Sequence, residues 1–331
     1  MRYYDITITD PDTGTTIKNY TSYKNGKHLA GALNVELDIT TGPFATPIAD
    51  SSLRIWGVTL EELSQATDLT GKNIVVRAGM SDGLPLANSA QQGVIAKGVI
   101  FNSWGNWIGK DMTLDLVIKA GSATSGDTGT SGTNSAPKNI VLNWKKGQTL
   151  GDALKSAISA AFPNYTASIN ISSDITAPED LKGVYSTLEQ LARFVNKKSI
   201  LIKGSSTYAG VDIVLARDTV SVFDGTVSPD STTQIKFQDM IGQPTWSASY
   251  SVNLKTVMRG DLSIPGIIKL PETIYTTTTG AISGIISKQL KNKSIFTGEF
   301  MIAGLRHVGN FRQPDGNSWC TIIDLRSMTV A

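Results

Sequence analysis

One cysteine, two histidines and a low density of charge are what this chain brings to chemistry, and each scarcity removes a class of function. With Cys320 alone there is no internal disulfide framework. Charged residues make up 18% of the 331, against roughly 25% in ordinary globular domains. The 30 basic and 28 acidic side chains nearly cancel to a net +2, so the concentrated basic excess of a dedicated nucleic-acid binder is missing. No apolar run reaches the ~18 to 20 residues that span a bilayer; the weakly apolar 280–286 stretch is far too short. Arg2 and Asp5 put charge where a secretory signal is apolar, so the chain reads as soluble and unprocessed.

What fills the gap is glycine, 31 residues of it, together with abundant serine and threonine, the composition of a strand-and-turn protein. Apolar residues at 40% are enough to build cores and exclude wholesale disorder. The length suggests two to four compact units.

The period along the chain changes twice. Over 1–120 it is that of strands: Leu33, Val35, Leu37 and Ile39 alternate with polar residues, as do Met112, Leu114, Leu116 and Ile118. Shorter strands are predicted over 4–9, 52–56, 73–78 and 93–101. Asp10-Pro11-Asp12-Thr13-Gly14 and Asn25-Gly26 mark turns, because Gly and Asn tolerate positive φ. Thr59 and Glu62 have the spacing of a capping box at the start of one short helix. Residues 121–136, a Gly/Ser/Thr tract ending at Pro137, cannot bury surface and read as a linker or long loop over 121–137.

Over 138–239 the period becomes helical. Leu150, Ala153, Leu154, Ala157, Ile158, Ala161 and Phe162 form one apolar stripe, capped by Thr149 and closed by Pro163. A second helix is predicted from a Ser186/Glu189 capping box, with Leu188, Leu191, Ala192 and Val195 on its apolar face. Strands are predicted at 167–171, 199–203 and 211–216, giving a small α+β unit. From 240 to 331 alternation returns: one long strand from Trp246 to Met258, another over 296–308, and a third over 319–326 after the Pro314-Asp315-Gly316-Asn317 turn. The expected architecture is mainly β: two β-barrel or sandwich units, 1–120 and 240–331, flanking an α+β insertion.

Searching for chemistry yields little. His28 and His307 are the only histidines available to a Ser-His-Asp or Cys-His arrangement, and Cys320 sits in a strand where a small apolar filler is the usual role. The common hydrolase and zinc signatures are absent. The Gly-Lys of Gly105–Asp111 has the wrong glycine spacing for a phosphate loop, and Asp10–Gly14 lacks the later ligands of a calcium loop, so both read as turns. Arg259-Gly260-Asp261 is a tripeptide that some receptors bind, and here it follows a strand as a turn does. Glu61 and Glu62, about 100° apart on a helix, cannot flank one glycosidic bond. The chain is expected not to be an enzyme and to need no cofactor or metal. Trp104, Asn106 and Trp107 stand out, crowded at what reads as a Gly-rich hairpin tip; two tryptophans there either fold onto a core or anchor an interface. These three are the candidate partner-binding residues.

The order of parts resembles the baseplate hub proteins of contractile-tailed bacteriophages, the Mu-like hub family. Ser52-Leu53-Arg54-Ile55-Trp56-Gly57-Val58, a short helix, then Leu69 to Gly79 with its closing Ala78-Gly79, read like the tail-tube-like domain of such hubs. Leu142-Asn143-Trp144-Lys145-Lys146-Gly147-Gln148-Thr149-Leu150 and 186–195 are similar to the hub's middle, and Phe296–Phe300 through His307 with Trp319–Ile323 resembles its closing hairpin. One departure is local: hubs often carry Pro-Gly-Asp before a strand, whereas Pro265-Gly266 here precedes Ile267. The resemblance implies a virion protein made in the host cytoplasm, a homotrimer with two tube-like barrels per subunit. Such a trimer joins the hexameric tail tube to the trimeric central spike around the channel of genome ejection. Implied partners are the chain itself, the tube and spike proteins, the tape measure and other baseplate proteins, with DNA only passing through the lumen and no membrane insertion. Rival readings are a tail-tube initiator or distal tail protein, which needs only one barrel, and a carbohydrate-binding or cell-wall-lytic tail protein.

Overall fold

The structure, a computed structural model, describes residues 1–44, 51–81, 88–120, 139–163, 165–205, 208–227, 232–248, 251–271 and 298–327. The Gly/Ser/Thr tract and the 280–286 stretch lie outside these residues. The fold is mainly β with a small helical part, as the alternation predicts.

The first β unit contains β1 (Arg2–Thr9), β2 (Thr16–Thr21), the two-residue β3 (Tyr23–Lys24) and β4 (Lys27–His28), β5 (Asn34–Thr41) and β6 (Ser51–Trp56). It continues through α1 (Leu60–Ser64), β7 (Asn73–Met80), β8 (Gly93–Ile108) and β9 (Asp111–Ala120). Tyr4, Ile6 and Ile8, with Val35, Leu37 and Ile39, Leu53 and Ile55, Ile74 and Val76, and Leu114, Leu116 and Ile118, point to one side and form a single core. Each such side chain removed from water contributes about 1.5–3 kcal/mol, and a one-residue slip would turn the whole set outward. Arg2 ties the start of β1 to the far end of the chain, donating to the carbonyls of Asn310 (2.6 Å), Phe311 (3.2 Å) and Asp315 (2.6 Å).

The middle unit holds β10 (Ile140–Trp144), α2 (Leu150–Ala161), β11 (Thr166–Asn170), β12 (Leu181–Tyr185), α3 (Leu188–Lys203), β13 (Asp212–Ala216) and β14 (Thr219–Phe223). Thr149 Oγ1 accepts from the backbone N–H of Asp152 (3.2 Å), the cap that the sequence predicts for α2. For α3 the expectation shifts by one: Thr187 is the cap, accepting from Gln190 N, while the Gln190 side chain reaches back to Ser186 N. Residues 199–203, expected as a strand, are the last turns of α3, which ends at the left-handed Gly204. The apolar run Ile200-Leu201-Ile202, with two β-branched isoleucines, favours a strand locally. Buried Ser199 decides otherwise, giving its hydroxyl to Asn196 O (2.8 Å) and accepting from Val211 N (2.9 Å).

The last unit comprises β15 (Thr232–Gln234), β16 (Thr245–Ala248), β17 (Ser251–Val257), β18 (Ile267–Lys269), β19 (Glu299–Asn310) and β20 (Trp319–Ser327). The single strand expected over 246–258 is two strands, β16 and β17, paired antiparallel with Trp246 opposite Val252. The register shift between Trp246 and Ala248 sets Trp246 and Val252 on one face at an even spacing, so two paired strands and one long strand look alike in sequence. Val214 and Phe223 from the middle unit join the core of this last unit, while Ile213, Leu215, Val220 and Val222 face α2 and α3. The three-stranded sheet β11-β14-β13 is thus covered on both faces.

Two features of the topology matter most. Apart from β3 and β4, which pair only with each other among the described strands, the described strands of both β units form one sheet, in the order β16-β17-β20-β19-β5-β6-β9-β8-β7-β1-β2 with β18 and β15 joined to it at β19, fused where β19 pairs antiparallel with β5. Each unit also contains the same five-strand arrangement. β5-β6-β9-β8-β7 and β16-β17-β20-β19-β18 both place their strands in the order first, second, fifth, fourth, third, and every neighbouring pair is antiparallel. Even the irregularities agree: the register shifts at Phe101 in β8 and at Ala303 in β19, each followed by the last seven residues of its strand, 102–108 and 304–310.

A second joint locks the units. The N–H of Gly260 donates to Gln91 O (2.8 Å) and Trp319 Nε1 donates to Gly79 O (2.9 Å). A Cβ on Gly260 would stand 2.5 Å from Ala78 O, and one on Gly93 2.0 Å from Gly260 O, so both positions require glycine for this approach. Gly260→Ala is expected to lower stability by roughly 1–3 kcal/mol or more, whereas Gly316→Ala, with nothing within 4 Å, stays within about 0.5 kcal/mol. Urea-unfolding midpoints of the two variants check the contrast.

Candidate interaction surface on the long hairpin

β7 pairs with β8 only over 93–99; from Asn102 to Ile108, β8 has β9 as its sole strand partner among the described residues. Gly109, at φ +62°, and Lys110 make the turn. The hairpin is longer than the sequence suggests, and Trp104, Asn106 and Trp107 lie in the strand rather than at a loop tip. Gly105, which reads as a turn residue, is there for packing: a Cβ would meet the Leu63 side chain at 2.8 Å and its carbonyl at 2.9 Å. The capping box of α1 holds Leu63 in place, with Thr59 and Glu62 bonded reciprocally as their spacing predicts.

Strand alternation sends Trp104 and Asn106 to one face and Trp107 to the other, so the three candidates do not converge on one pocket. Asn106 and Trp104 border a buried carboxylate. Asp115 Oδ1 accepts from Arg54 Nε (2.5 Å), and Oδ2 accepts from Asn106 Nδ2 (2.7 Å) and Thr113 Oγ1 (3.0 Å). The Arg54 guanidinium also lies over the Trp56 ring, 5.7 Å from its centroid. This cluster stiffens the hairpin base, since a charge-assisted bond is roughly twice as strong as a neutral one. Trp107 is held by its Nε1–H on Gly109 O (2.9 Å) yet leaves 62% of its surface in solvent, and Ile108 beside it leaves 75%. Trp104 is 37% exposed. The surface is therefore a rigid strand end carrying apolar side chains on both faces, the physical form of an interface anchor. The sequence reading missed Ile108, which alternation continued past Phe101 would have placed in the strand, and it missed the pairing of Arg54 with Asp115, which joins two predicted strands 61 residues apart.

The remaining sequence candidates resolve into structure. His307 is fully buried, its Nδ1 2.9 Å from Thr321 Oγ1, and burial pushes its pKa down to about 4. His28 Nε2 lies 2.7 Å from Ser81 Oγ, but Ser81 is buried and its hydroxyl donates to Met1 O (3.2 Å), far from a nucleophile's setting. Cys320 is buried, which pushes its thiol pKa up. Asp10 accepts from Asp12 N and Thr13 N (both 3.0 Å) and from Lys72 Nζ (2.7 Å), a turn with its oxygens in use. Arg259 of the Arg-Gly-Asp run is buried, forked onto Asp261 (2.8 and 2.7 Å) with Asp239 at 3.4 Å, which turns the tripeptide into part of the inter-unit joint. Among the described residues, no group of three or more His, Cys, Asp or Glu is placed to hold a metal, and no helix is long and apolar enough to cross a membrane.

No family model matches the sequence, and no curated protein matches it. Among solved structures, the chain is similar to a tail protein from Neisseria meningitidis MC58 (TM-score 0.49, 13% identity, covering 98% of this chain and 96% of that one). It is similar also to the 43 kDa tail protein of prophage MuSo2 from Shewanella oneidensis (TM-score 0.48, 8% identity, 98% and 96% covered). A third similarity is to a chain of the Francisella PdpA–VgrG complex in its half-lidded form (TM-score 0.45, 6% identity), in which this whole chain spans 59% of the other's length.

Asp115→Ala, which leaves Arg54 and Asn106 unpaired, is expected to cost roughly 2–4 kcal/mol, while Trp107→Ala leaves stability within about 0.5 kcal/mol; chemical denaturation distinguishes them. His307 gives a pH dependence of known sign. Its folded pKa of about 4 lies below the ordinary 6.5, so the stability tied to its neutral form is fully present above pH 6.5. That contribution, about 3 kcal/mol, is lost as the pH falls through 6.5 toward 4. His307→Gln is expected to flatten the unfolding midpoint across that window.

Proposed function

We propose that this chain is a structural baseplate hub of a contractile phage tail, three copies of which close into a collar between a hexameric tube and a trimeric spike. The observation that carries the reading is the duplication: each polypeptide folds two β units with one strand order, fused edge to edge by β19 and β5. Three chains of two units give six similar β units in a ring, so one assembly meets sixfold symmetry on one side and threefold symmetry on the other. Closed cyclic symmetry also removes the open sheet edges that otherwise invite uncontrolled pairing.

In this reading the work is mechanical. The tube protein docks on the sixfold side, the spike on the threefold side, a tape-measure protein and DNA pass through the lumen, and the protein belongs to the virion. No bond-making step is assigned to any residue. A distal tail or tube-initiator protein needs only one such β unit, and the duplication favours the hub over that rival. Among the described candidates, Cys320 and His307 are buried and the Ser81 hydroxyl donates to Met1 O, so none of these three supports a lytic reading.

Light scattering of the purified protein is expected to give about 106 kDa, three times the 35.3 kDa chain, and negative-stain images a ring with an axial hole. A species of one or two chains, or a particle without a hole, overturns the proposal.

A further inference from the structure

We infer that the open edge of β8, residues 102–108, pairs antiparallel with β16 of a second copy of this chain. The inference rests on the hub reading and supplies its missing contact. Within one chain, residues 305–310 of β19 pair with 36–41 of β5, the third-to-first-unit contact that fuses the sheet. β8 is the counterpart of β19 in the first unit, and β16 is the counterpart of β5 in the last. The same contact is therefore owed between β8 and a β16. Within a chain these strands lie at separate places on the sheet, with β16 at one terminus of its path and β9 and β7 flanking β8.

The register follows from the ladders. Asn102 faces Val117, Val117 faces Ser52, and Ser52 faces Asp38; in the last unit Gly304 faces Asp324, Asp324 faces Asn253, and Asn253 faces Thr245. Thr245 thus occupies the place of Asp38. Counting five residues on from the bulges at Phe101 and Ala303, Asn106 occupies the place of Val308. Since Val308 faces Asp38, Asn106 is placed opposite Thr245 of the second copy, and Gly105 opposite its Trp246.

Both edges are open among the described residues: over 102–108, β8 pairs only with β9, and β16 pairs only with β17. Exposure supports the same conclusion. Ile39, in the strand that has its partner, is 1% exposed, while its counterpart Trp246 is 49% exposed. Trp104 and Trp107 flank the proposed contact, so a second copy would cover the apolar side chains that this hairpin leaves in solvent. The contact is head-to-tail: each copy offers a β8 edge to one neighbour and a β16 edge to the other, and a ring closes when the rotation permits.

The test is the full-length double variant Asn106→Cys/Thr245→Cys, oxidised with copper–phenanthroline and read on a non-reducing gel beside light scattering of the same sample. Directly opposed residues in an antiparallel ladder have Cα atoms about 4.5–5.5 Å apart, within reach of a disulfide. The expected result is loss of the monomer band to covalent dimers and trimers that neither single variant forms. Arg306→Cys/Thr40→Cys, facing within one chain two residues along the same ladder and away from the native Cys320, should lose its two added thiols without changing mobility, which verifies that this ladder geometry cross-links. Trp246→Lys should lose the trimer while keeping its circular dichroism. A trimer by light scattering that gives no inter-chain cross-link overturns the edge pairing and leaves the hub reading standing. Cross-links that stop at two chains or run past three keep the edge pairing and sink the hub reading. An uncross-linked monomer at the highest soluble concentration overturns both.

Discussion

The pairing of β19 with β5 is the contact on which the rest of this molecule depends. Over residues 305–310 and 36–41 it converts two β units, far apart in sequence, into one sheet. Side chains on the solvent face reinforce it: Arg306 forks onto Asp38 at 2.8 and 2.5 Å, and Asn310 Nδ2 donates to Glu36 at 2.8 Å. These exposed pairs are individually worth little, but they sit on a ladder whose other face is apolar core, and a slipped register would misplace both at once. The glycine crossing of Gly93 and Gly260 then holds the two units from a second direction.

That rigidity gives the middle unit a defined seat. Phe44, just past β5, enters the core of α2 and α3 and its N–H donates to Ile213 O (2.9 Å), while buried Asp212 takes Arg326 Nη1 of β20 at 2.5 Å. Burial pushes the Asp212 carboxyl pKa up and the Arg326 guanidinium opposes that shift, so this pair stays useful only while the two units remain together. An insertion tied to both β units is positioned by the frame rather than tethered to it.

Much of this was legible from local pattern. The alternation at Leu33–Ile39 and Met112–Ile118, the Thr59/Glu62 box and the α2 stripe each state their structure within a dozen residues, because strand and helix periods differ and caps sit at fixed offsets. The failures share one cause. Gly105 read as a turn because its real constraint, the Leu63 carbonyl, is forty-two residues back along the chain. The β16–β17 pair read as one strand because the register shift between Trp246 and Ala248 restores even spacing across the two strands. Ile200-Leu201-Ile202 read as a strand because Ser199 finds its partner on Val211 only in three dimensions. The candidate site was half legible: tryptophan content drew attention to 104 and 107, yet nothing local separated the solvent-facing Trp107 from Trp104 at the edge of the Asp115 cluster.

By itself the sequence determined the secondary periods, the class, the absence of the usual catalytic constellations and the general likeness of the two ends, since all of these are properties of residue type and spacing. Only the tertiary structure decided that the two ends share one strand order, that they join in one sheet, and that over 102–108 β8 has β9 as its one strand partner among the described residues. Strand order and edge exposure are set by long-range backbone pairing, and backbone hydrogen bonds carry no residue signature to be read along the chain.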